Sequence, residues 1–249
     1  MTTIPVILVT AGSAGLGSAV SRLFSKHGYR VIVNYSANKV RADELVSELN
    51  AATASSGGHL AIQADMSSRP DIERLVQETY QATSRIDVIF SNAGWSQFRD
   101  TTRLDNNCFD EDWDFAYTTD VKSHLWLLHA ARDHLAENEG CFVTTSSIAG
   151  ISGMGSSLAY CVSKAAQIHM VKGLATMVGP SISVNSISPG LLLTDWSKRF
   201  SDEQKEEHKS QTRLKRFARL EDIAEQVLCL ARNQSITGVY VTIDAGCVR

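Results

Sequence analysis

Residues 6–17 read VILVTAGSAGLG, an apolar run followed by a turn that contains three glycines. An apolar run without polar alternation is typical of a parallel strand that is covered on both faces. Leu16, Val20 and Phe24 then recur at helical spacing, which predicts a helix over residues 15–28 that closes at Gly28. A buried strand, a glycine-rich turn and a helix in this order indicate the first unit of a parallel α/β sheet.

The same alternation of strands and helices continues along the chain. Helices are predicted over 38–50 and 70–84, and helical stretches flank the fifth strand. Further buried strands are predicted at 30–35, 59–65, 86–94, 140–147, 183–190 and 238–246. We therefore expect a single domain over residues 1–249, a doubly wound parallel sheet (Rossmann fold) of about seven strands with helices on both faces.

One segment departs from the rest in composition. Residues 197–216 read SKRFSDEQKEEHKSQTRLKR and are dense in charges of both signs. Such a pattern favours a solvated helical excursion. It is also compatible with a mobile lid over a substrate pocket, which we place at about 195–216.

Composition excludes several classes of function. The formal net charge of the 249 residues is -3, which gives no attraction to nucleic acid or to an anionic membrane. No apolar segment is long enough to span a membrane, and the N-terminus lacks the features of a signal peptide, so a cytoplasmic location is expected.

Cysteine and histidine spacing gives no sign of a metal site. The five cysteines are odd in number and include no C-x-x-C pair, which argues against a disulfide framework or a zinc site. Cys161 is a reactive thiol or, more simply, a packing residue. His124, His129 and His134 recur every five residues, a step that does not keep one helix face. No metal is therefore predicted.

The carboxyl ends of the first two strands suggest a dinucleotide site, because ligands of open α/β sheets bind at these ends. The turn at 10–17 offers backbone amides to a pyrophosphate. The second strand ends at Tyr35, where an acid would bind the ribose of NAD, and a missing carboxylate removes repulsion against a 2′-phosphate. Side chains that can receive this phosphate follow at Ser36, Asn38, Lys39 and Arg41. The alternative is that these residues only begin and cap a helix.

Two further features have a functional and a structural interpretation. The third strand ends at Asp65 and Met66, where the carboxylate can accept from an adenine amine or cap the next helix. Tyr160 precedes Lys164 by four residues and so shares its helix face. A neighbouring ammonium is expected to lower the pKa of the phenol towards that of a working acid–base catalyst. The alternative is an accidental pair on a solvated helix.

Several motifs in order resemble the short-chain dehydrogenase/reductase family over nearly the whole chain, from Thr10 to Gly246. They are TAGSAGLG (10–17), SNAG (91–94), TTSSIAG (144–150), YCVSK (160–164) and SPGLLLT (188–194). The resemblance implies that Ser147, thirteen residues before Tyr160, hydrogen-bonds a substrate carbonyl. It also implies that Tyr160 delivers the proton and that Lys164 keeps Tyr160 acidic and binds the nicotinamide ribose.

The resemblance also implies an NADP(H) site, with Thr194 on the nicotinamide carboxamide. The implied cofactor residues are Ala11, Gly12, Ser13, Gly15, Leu16, Gly17, Tyr35, Ser36, Asp65, Met66, Asn92, Ala93, Gly94, Lys122, Tyr160, Lys164, Pro189, Gly190, Leu192 and Thr194. Members of the family associate through the helix that bears the tyrosine, so a homodimer or homotetramer is expected.

Three residues depart from the family pattern. Ala11 replaces the first glycine of the cofactor turn, and Ser91 replaces the first asparagine of the NNAG motif. The fourth member of the catalytic set, an asparagine seven residues after a common tryptophan, falls on Asp120 when counted from Trp113. We expect this aspartate to raise the pKa of Lys164 and to offset part of its effect on Tyr160.

The leading hypothesis is an NADP(H)-dependent oxidoreductase that transfers a hydride between nicotinamide and a ketone or secondary alcohol. Candidate wall residues, each of which can instead be plain core, suggest a bulky cyclic or aromatic, polyketide-like substrate; they are Trp95, Phe98, Met154, Trp196 and Phe200. One alternative is a cyclase, dehydratase or epimerase that uses the cofactor as a scaffold. Another is a regulatory protein that binds NADP(H) without catalysis.

Overall fold

The computed structural model describes residues 4–53 and 58–248. Within these ranges, all seven strands pair in parallel in the order β3-β2-β1-β4-β5-β6-β7. The strands are β1 (Val6–Val9), β2 (Arg30–Tyr35), β3 (Leu60–Gln63), β4 (Val88–Ser91), β5 (Cys141–Thr145), β6 (Ser183–Pro189) and β7 (Tyr240–Ile243). This sheet confirms the doubly wound architecture that the apolar runs predict.

The helices cover both faces of the sheet. They are α1 (Gly15–Lys26), α2 (Lys39–Ala52), α3 (Arg69–Thr83), α4 (Asp110–Tyr117), α5 (Ser123–Ala136), α6 (Ala149–Ser152), α7 (Leu158–Val178), α8 (Asp202–Gln211) and α9 (Leu220–Arg232). None of the described helices is long and apolar enough to cross a membrane.

Two apolar cores, one on each face, hold the sheet between the helices. On one face, α3, α5 and α7 pack on alternate strand residues such as Leu8 and Ile89. On the other face, α1, α2 and α9 pack on the intervening residues, such as Ile7 and Phe90. Each of these four side chains is fully buried, and burying one such side chain contributes about 1.5–3 kcal/mol. Burial on both faces explains why the strand sequences do not alternate with polar residues.

The strand order reverses direction between β1 and β4, which creates the crevice where ligands of such folds bind. The loops that follow these two strands are joined by Thr10. Its Oγ1 accepts hydrogen bonds from the backbone N–H groups of Asn92, at 2.8 Å, and Ala93, at 3.1 Å. The glycine-rich turn and the SNAG segment therefore form one surface at the crevice.

Two local features lie beyond what the apolar pattern predicts. A π-helical turn, Thr118–Lys122, joins α4 to α5 without a break in the helix. The charged segment forms a 3₁₀ turn, Asp195–Arg199, followed by α8, in which no residue is buried. The solvated helical excursion expected there is present, whereas its motion as a lid stays a prediction.

Candidate active site

The glycine-rich turn packs so closely that side chains would not fit at two positions. A Cβ at Gly12 would lie 2.7 Å from the carbonyl oxygen of Val9, and one at Gly17 would overlap the carbonyl oxygen of Ala11. Ala11 itself has a φ of 47°, a left-handed conformation that costs an L-residue about 1–2 kcal/mol. The alanine thus adopts the conformation that the family's glycine would adopt without this cost.

The first turn of α1 is suited to hold an anion. It contains no acidic residue, and its N-cap, Ala14, offers no side-chain hydrogen bond to the helix amides. Free amides at a helix N-terminus attract a phosphate group. Gly15 has a φ of 50° and faces Thr194, whose Cγ2 would lie 3.2 Å from a Cβ at this position. The segment after β6 that contains Thr194 therefore packs against the start of α1.

β2 itself ends without a carboxylate, at Tyr35, but the cations that follow it already have carboxylate partners. Asn38 caps α2 by accepting from Arg41 N–H at 3.0 Å. The ammonium of Lys39 lies 2.6 Å from Asp43, and the guanidinium of Arg41 lies 3.1 Å from Asp195. All of these ion pairs are exposed, so they are weak and can be exchanged for a ligand.

At the end of β3, the Asp65 carboxylate is only partly available to a ligand, because one of its oxygens already accepts hydrogen bonds. The Asp65 carboxylate accepts from the N–H and the hydroxyl of Ser67, both at 2.8 Å. Ser68, not Asp65, is the N-cap of α3, so the capping role considered for Asp65 is wrong. Met66 is buried in the core beneath the crevice.

Ser147, Tyr160 and Lys164 all line one cleft of about 1100 Å³. Tyr160 and Lys164 lie one turn apart on α7, whose N-cap Ser157 accepts from the Tyr160 N–H at 3.2 Å. Ser147 lies between β5 and α6, where its Oγ accepts from the Ala149 N–H at 3.1 Å. The spacing that suggests a shared helix face for Tyr160 and Lys164 is therefore realised in the fold.

The Lys164 ammonium is buried and held by three acceptors. It donates to the carbonyl oxygen of Thr145 at 3.0 Å and to Oε1 of Gln167 at 3.1 Å, and its Nζ lies 3.5 Å from Oδ1 of Asp120. An ammonium has three N–H groups, so this set matches its full donor capacity. Nζ also lies 5.7 Å from the centre of the Tyr160 ring.

Asp120 belongs to the π-helical turn, an element that often marks functional sites. Its side chain is fully buried below Lys164 and does not line the cleft. Oδ1 accepts from the Trp95 N–H at 2.9 Å, and Oδ2 accepts from the Ser163 hydroxyl at 2.9 Å. Burial raises the pKa of Asp120, whereas Lys164 acts to lower it.

The expected lowering of the Tyr160 pKa is not found. Burial raises the pKa of Tyr160 well above its ordinary value, and the charge on Asp120 raises it further. A hydrogen bond with Ser147 acts in the opposite direction but is the smaller effect. The prediction from spacing neglected the loss of water around the phenol and the carboxylate that accompanies the lysine.

Aromatic side chains line part of the cleft. They are Trp95, Trp196 and Phe200, and Met154 lines the cleft with them. The Trp196 ring lies 6.4 Å from the Tyr160 ring, centre to centre. Phe98 does not line the cleft but supports this wall, because its ring lies 4.8 Å from that of Phe200.

Not all of the predicted cofactor residues line the cleft. Those that do are Ala11, Gly15, Leu16, Asn92, Gly94, Tyr160, Lys164, Pro189, Gly190, Leu192 and Thr194. Those outside its described lining are Gly12, Ser13, Gly17, Tyr35, Ser36, Asp65, Met66, Ala93 and Lys122. The Lys122 ammonium lies 5.8 Å from the centre of the Trp126 ring. Lys122 and the other residues outside the lining stay predictions as cofactor ligands.

Other side chains near the site have structural explanations. Cys161 is buried and burial raises the pKa of its thiol, which fits a packing residue better than a reactive one. Among the described residues, no three histidine, cysteine, aspartate or glutamate side chains are grouped so as to hold a metal ion. Gln167, whose Oε1 accepts from Lys164, is not among the predicted site residues. No motif contains it, and its polar side chain within the otherwise largely apolar buried face of α7 is the only sequence signal.

Comparison with known proteins agrees with this geometry. A family model described as enoyl-(acyl carrier protein) reductase matches residues 10–248. "Granaticin polyketide synthase putative ketoacyl reductase 2" from Streptomyces violaceoruber is 35% identical over 245 residues, which are 97% of this chain and 95% of that protein. The chain belongs to the short-chain dehydrogenase/reductase family.

Other relatives of this short-chain dehydrogenase/reductase support the same family assignment. The 3-oxoacyl-[acyl-carrier-protein] reductase FabG of Staphylococcus aureus is 29% identical, with 96% of each chain covered. A short-chain dehydrogenase from Burkholderia cenocepacia J2315, solved in complex with NADP, superposes with a TM-score of 0.87. It is 28% identical, and the match covers 97% of this chain and 96% of that one. The relatives are oxidoreductases, which supports enzymatic activity for this chain.

Proposed function

We propose that this protein is an NADP(H)-dependent ketoreductase that acts on a bulky cyclic or aromatic ketone. The observation that carries the proposal is the convergence of Ser147, Tyr160 and Lys164 in one cleft. Residues of the glycine-rich turn and aromatic side chains line the same cleft. The named reductases among the relatives support the same reaction class.

The residues present fit a dinucleotide. The tight packing at Gly12 and Gly17 lets the backbone approach a pyrophosphate, and the acid-free first turn of α1 favours its charge. Asn92, Gly94 and Thr194 would hold the nicotinamide half, as they line the same cleft. When bound, NADPH supplies the hydride that reduces the substrate carbonyl.

The chain's own residues handle the charge and the proton. The Ser147 hydroxyl donates to the carbonyl oxygen where negative charge develops. The Tyr160 hydroxyl holds the proton that this oxygen takes up. Its raised pKa leaves the phenol protonated at neutral pH but makes it a weaker acid, so proton transfer needs the phenolate to be stabilised. The Lys164 charge favours the phenolate that remains after proton transfer.

Preference for NADPH over NADH follows from the end of β2. Tyr35 stands where an acid would bind the ribose hydroxyls, so β2 itself contributes no carboxylate that would repel a 2′-phosphate. Arg41 is the cation placed to pair with this phosphate. Its present partner, Asp195, is an exposed carboxylate that a phosphate can displace.

The substrate class follows from the wall of the cleft. Trp95, Trp196 and Phe200 line the cleft with apolar rings, and the Trp196 ring lies 6.4 Å from the Tyr160 ring. Aromatic walls of this kind favour rings over short flexible chains. The polyketide ketoacyl reductase among the relatives supports a cyclic ketone of polyketide type.

A carbonyl-substrate screen tests the proposal. Purified protein is incubated with NADPH or NADH and with 2-tetralone, trans-1-decalone or an acetoacetyl thioester, and loss of reduced cofactor is followed with product analysis. We expect NADPH consumption with the bicyclic ketones and a higher kcat/KM for them than for the thioester. A higher value for the thioester would overturn the substrate class. Product formed without cofactor consumption would favour a non-redox enzyme, and tight NADPH binding without any product would favour a regulatory protein.

A further inference from the structure

A chain of buried polar side chains leads from Lys164 into the core. Oε1 of Gln167 accepts from Lys164, and Nε2 of Gln167 lies 3.0 Å from Nε2 of His124. Nδ1 of His124 lies 2.6 Å from the Ser91 hydroxyl. Each of these four residues is at most 3% exposed. The proposed reaction assigns no role to Ser91, His124 or Gln167.

The direction of every hydrogen bond in this chain follows from the lysine. An ammonium can only donate, so the oxygen of the Gln167 amide must face Lys164. The amide NH₂ then faces His124 and donates to its Nε2, which must be unprotonated. The proton of a neutral imidazole therefore lies on Nδ1 and is donated to Ser91.

The Lys164 ammonium lies between this chain and a carboxylate. Its two shorter contacts, at 3.0 and 3.1 Å, go to the neutral oxygens of Thr145 and Gln167, and its contact with Asp120 is longer at 3.5 Å. Charge attraction alone would draw the ammonium towards Asp120. The neutral acceptors hold it away from the carboxylate and so keep more of its charge available to Tyr160.

We propose that Ser91, His124 and Gln167 are positioning residues for Lys164. Ser91 fixes the His124 tautomer, His124 fixes the orientation of the Gln167 amide, and Gln167 holds the ammonium against the pull of Asp120. The proposal rests on the ketoreductase function assigned to Ser147, Tyr160 and Lys164.

The effect of reversing these hydrogen bonds shows why His124 must stay neutral. A proton on Nε2 would meet the NH₂ of Gln167, and the amide would have to turn its NH₂ towards Lys164. Two donors would then face each other. The charged group that faces His124 is Lys164 on α7, and Asp120 in the π-helical turn lies beyond that ammonium. Burial and Lys164 lower the pKa of His124 well below its ordinary value, in agreement with a neutral ring.

The tautomer can be measured without any activity. Protein labelled with ¹⁵N at the histidine rings is studied by solid-state NMR, and the His124 signals are assigned by their loss in His124→Phe. We expect a neutral ring protonated on Nδ1 between pH 6 and 8. A ring protonated on Nε2 would reverse the direction of the hydrogen bonds between Gln167, His124 and Ser91. That result would overturn the proposal, whether or not the protein reduces ketones.

Kinetics of matched variants test the effect on Lys164. We expect His124→Phe and Gln167→Met to lower kcat about tenfold or more, with little change in the Kd of NADPH. The falling limb of the kcat profile for reduction should move to higher pH, because the ammonium moves towards Asp120 and less positive charge favours the phenolate. His124→Gln, whose Oε1 can accept from Gln167, should restore kcat and the profile. His59→Phe removes another buried histidine and should leave the profile unchanged.

A double-mutant cycle separates positioning from general destabilisation. In an Asp120→Asn background no carboxylate attracts the ammonium, so the effect of His124→Phe on kcat should shrink. If His124→Phe does not fold, Ser91→Ala, which is a smaller change, replaces it in the double-mutant cycle. Additive effects, or an unchanged pH profile in Gln167→Met, would overturn the proposal. Absence of all ketone reduction in the unmodified protein would refute the ketoreductase function instead, and the NMR result would still decide the orientation of the chain.

Discussion

Tyr160 presents its hydroxyl to the cleft from the first turn of α7, while its ring lies against the aromatic wall. Tyr160→Phe removes the hydroxyl and keeps these ring contacts. We expect kcat to fall by about 10²–10⁴-fold, the usual contribution of a general acid, with the Kd of NADPH nearly unchanged. Stopped-flow turnover and a fluorescence titration of NADPH measure the two quantities. A variant with near-normal kcat would show that another group supplies the proton.

Asp120 makes contacts that an asparagine can also make. The Asn Oδ1 would accept from the Trp95 N–H, and its NH₂ would donate to the Ser163 hydroxyl. That hydroxyl is already 2.9 Å from the carbonyl oxygen of Tyr160 and can donate to it instead. Every polar atom would therefore keep a partner.

Asp120→Asn should consequently retain or raise kcat for reduction and move its pH dependence to lower pH. The Asp120 charge now raises the pKa of Tyr160, so its removal lowers that pKa. Tyr160 must be protonated to act as an acid, and the falling limb of the profile moves down with its pKa. A pH series of kcat measures the shift. Loss of activity in a folded variant that still binds NADPH would give Asp120 a chemical role and favour a non-redox reaction.

At the scale of the element, the end of β2 decides between the two nicotinamide cofactors. Tyr35→Asp places a negative charge where the 2′-phosphate is expected to lie. Repulsion of about 1–4 kcal/mol should move the preference towards NADH by roughly tenfold or more. The matched control is Tyr35→Asn, which makes a similar change in size without the charge. The ratio of Kd values for NADPH and NADH is the measurement, and tighter binding of NADH by the unmodified protein would contradict the proposed preference.

The elements themselves were predictable where local chemistry decides them. Strands such as β1 and β5 are apolar on both faces, and the glycines after β1 mark a turn whose packing excludes side chains. The position of Tyr160 one turn before Lys164 also follows from a motif. Asp120 was expected beside Lys164 from the family resemblance, whereas His124 and Gln167 were not expected there, because no motif contains them and His124 lies on α5, 43 residues before Gln167. Only the packing of α7 against the π-helical turn brings them together.

At the scale of the whole molecule, two buried neutral histidines should make stability depend on pH. His59 Nδ1 accepts from the Val31 N–H at 3.0 Å, and burial lowers the pKa of His59. Burial and Lys164 lower the pKa of His124 further. Unfolding frees both rings to take up protons below about pH 6.5. Their contribution to stability is therefore complete above this pH and is lost progressively as the pH falls towards their folded-state pKa values.

We expect the free energy of unfolding to fall between pH 7 and pH 5. Each unit by which a folded pKa lies below its unfolded value contributes about 1.4 kcal/mol at neutral pH. Urea unfolding at pH 7, 6 and 5 measures the loss. His59→Asn, whose Oδ1 can accept from Val31 but does not titrate, should reduce the slope. A free energy that is constant over this range would contradict the prediction.

Association of copies is the second prediction at this scale. The helix α7 exposes two small residues, Ala165 and Gly173, and large apolar side chains are exposed on α4 and α5, at Phe115 and Leu125. Small residues permit close approach of a second helix. Together with the family resemblance, this surface predicts a dimer or tetramer at micromolar concentration. Sedimentation velocity should show it, and Ala165→Arg should reduce the mass. A monomeric unmodified protein would contradict the prediction.

The π-helical turn at Thr118–Lys122 also changes the direction in which the side chains of α5 point relative to those of α4. Each residue of an α-helix advances the side-chain direction by about 100°. With the turn in place, Asp120 points under Lys164 while Leu127 and Leu128 still point into the core. Deletion of one residue here would rotate one stretch against the other, so that either the carboxylate or the apolar stripe faced the wrong side. Chain length in this short segment is therefore as constrained as residue identity, even where single substitutions are tolerated.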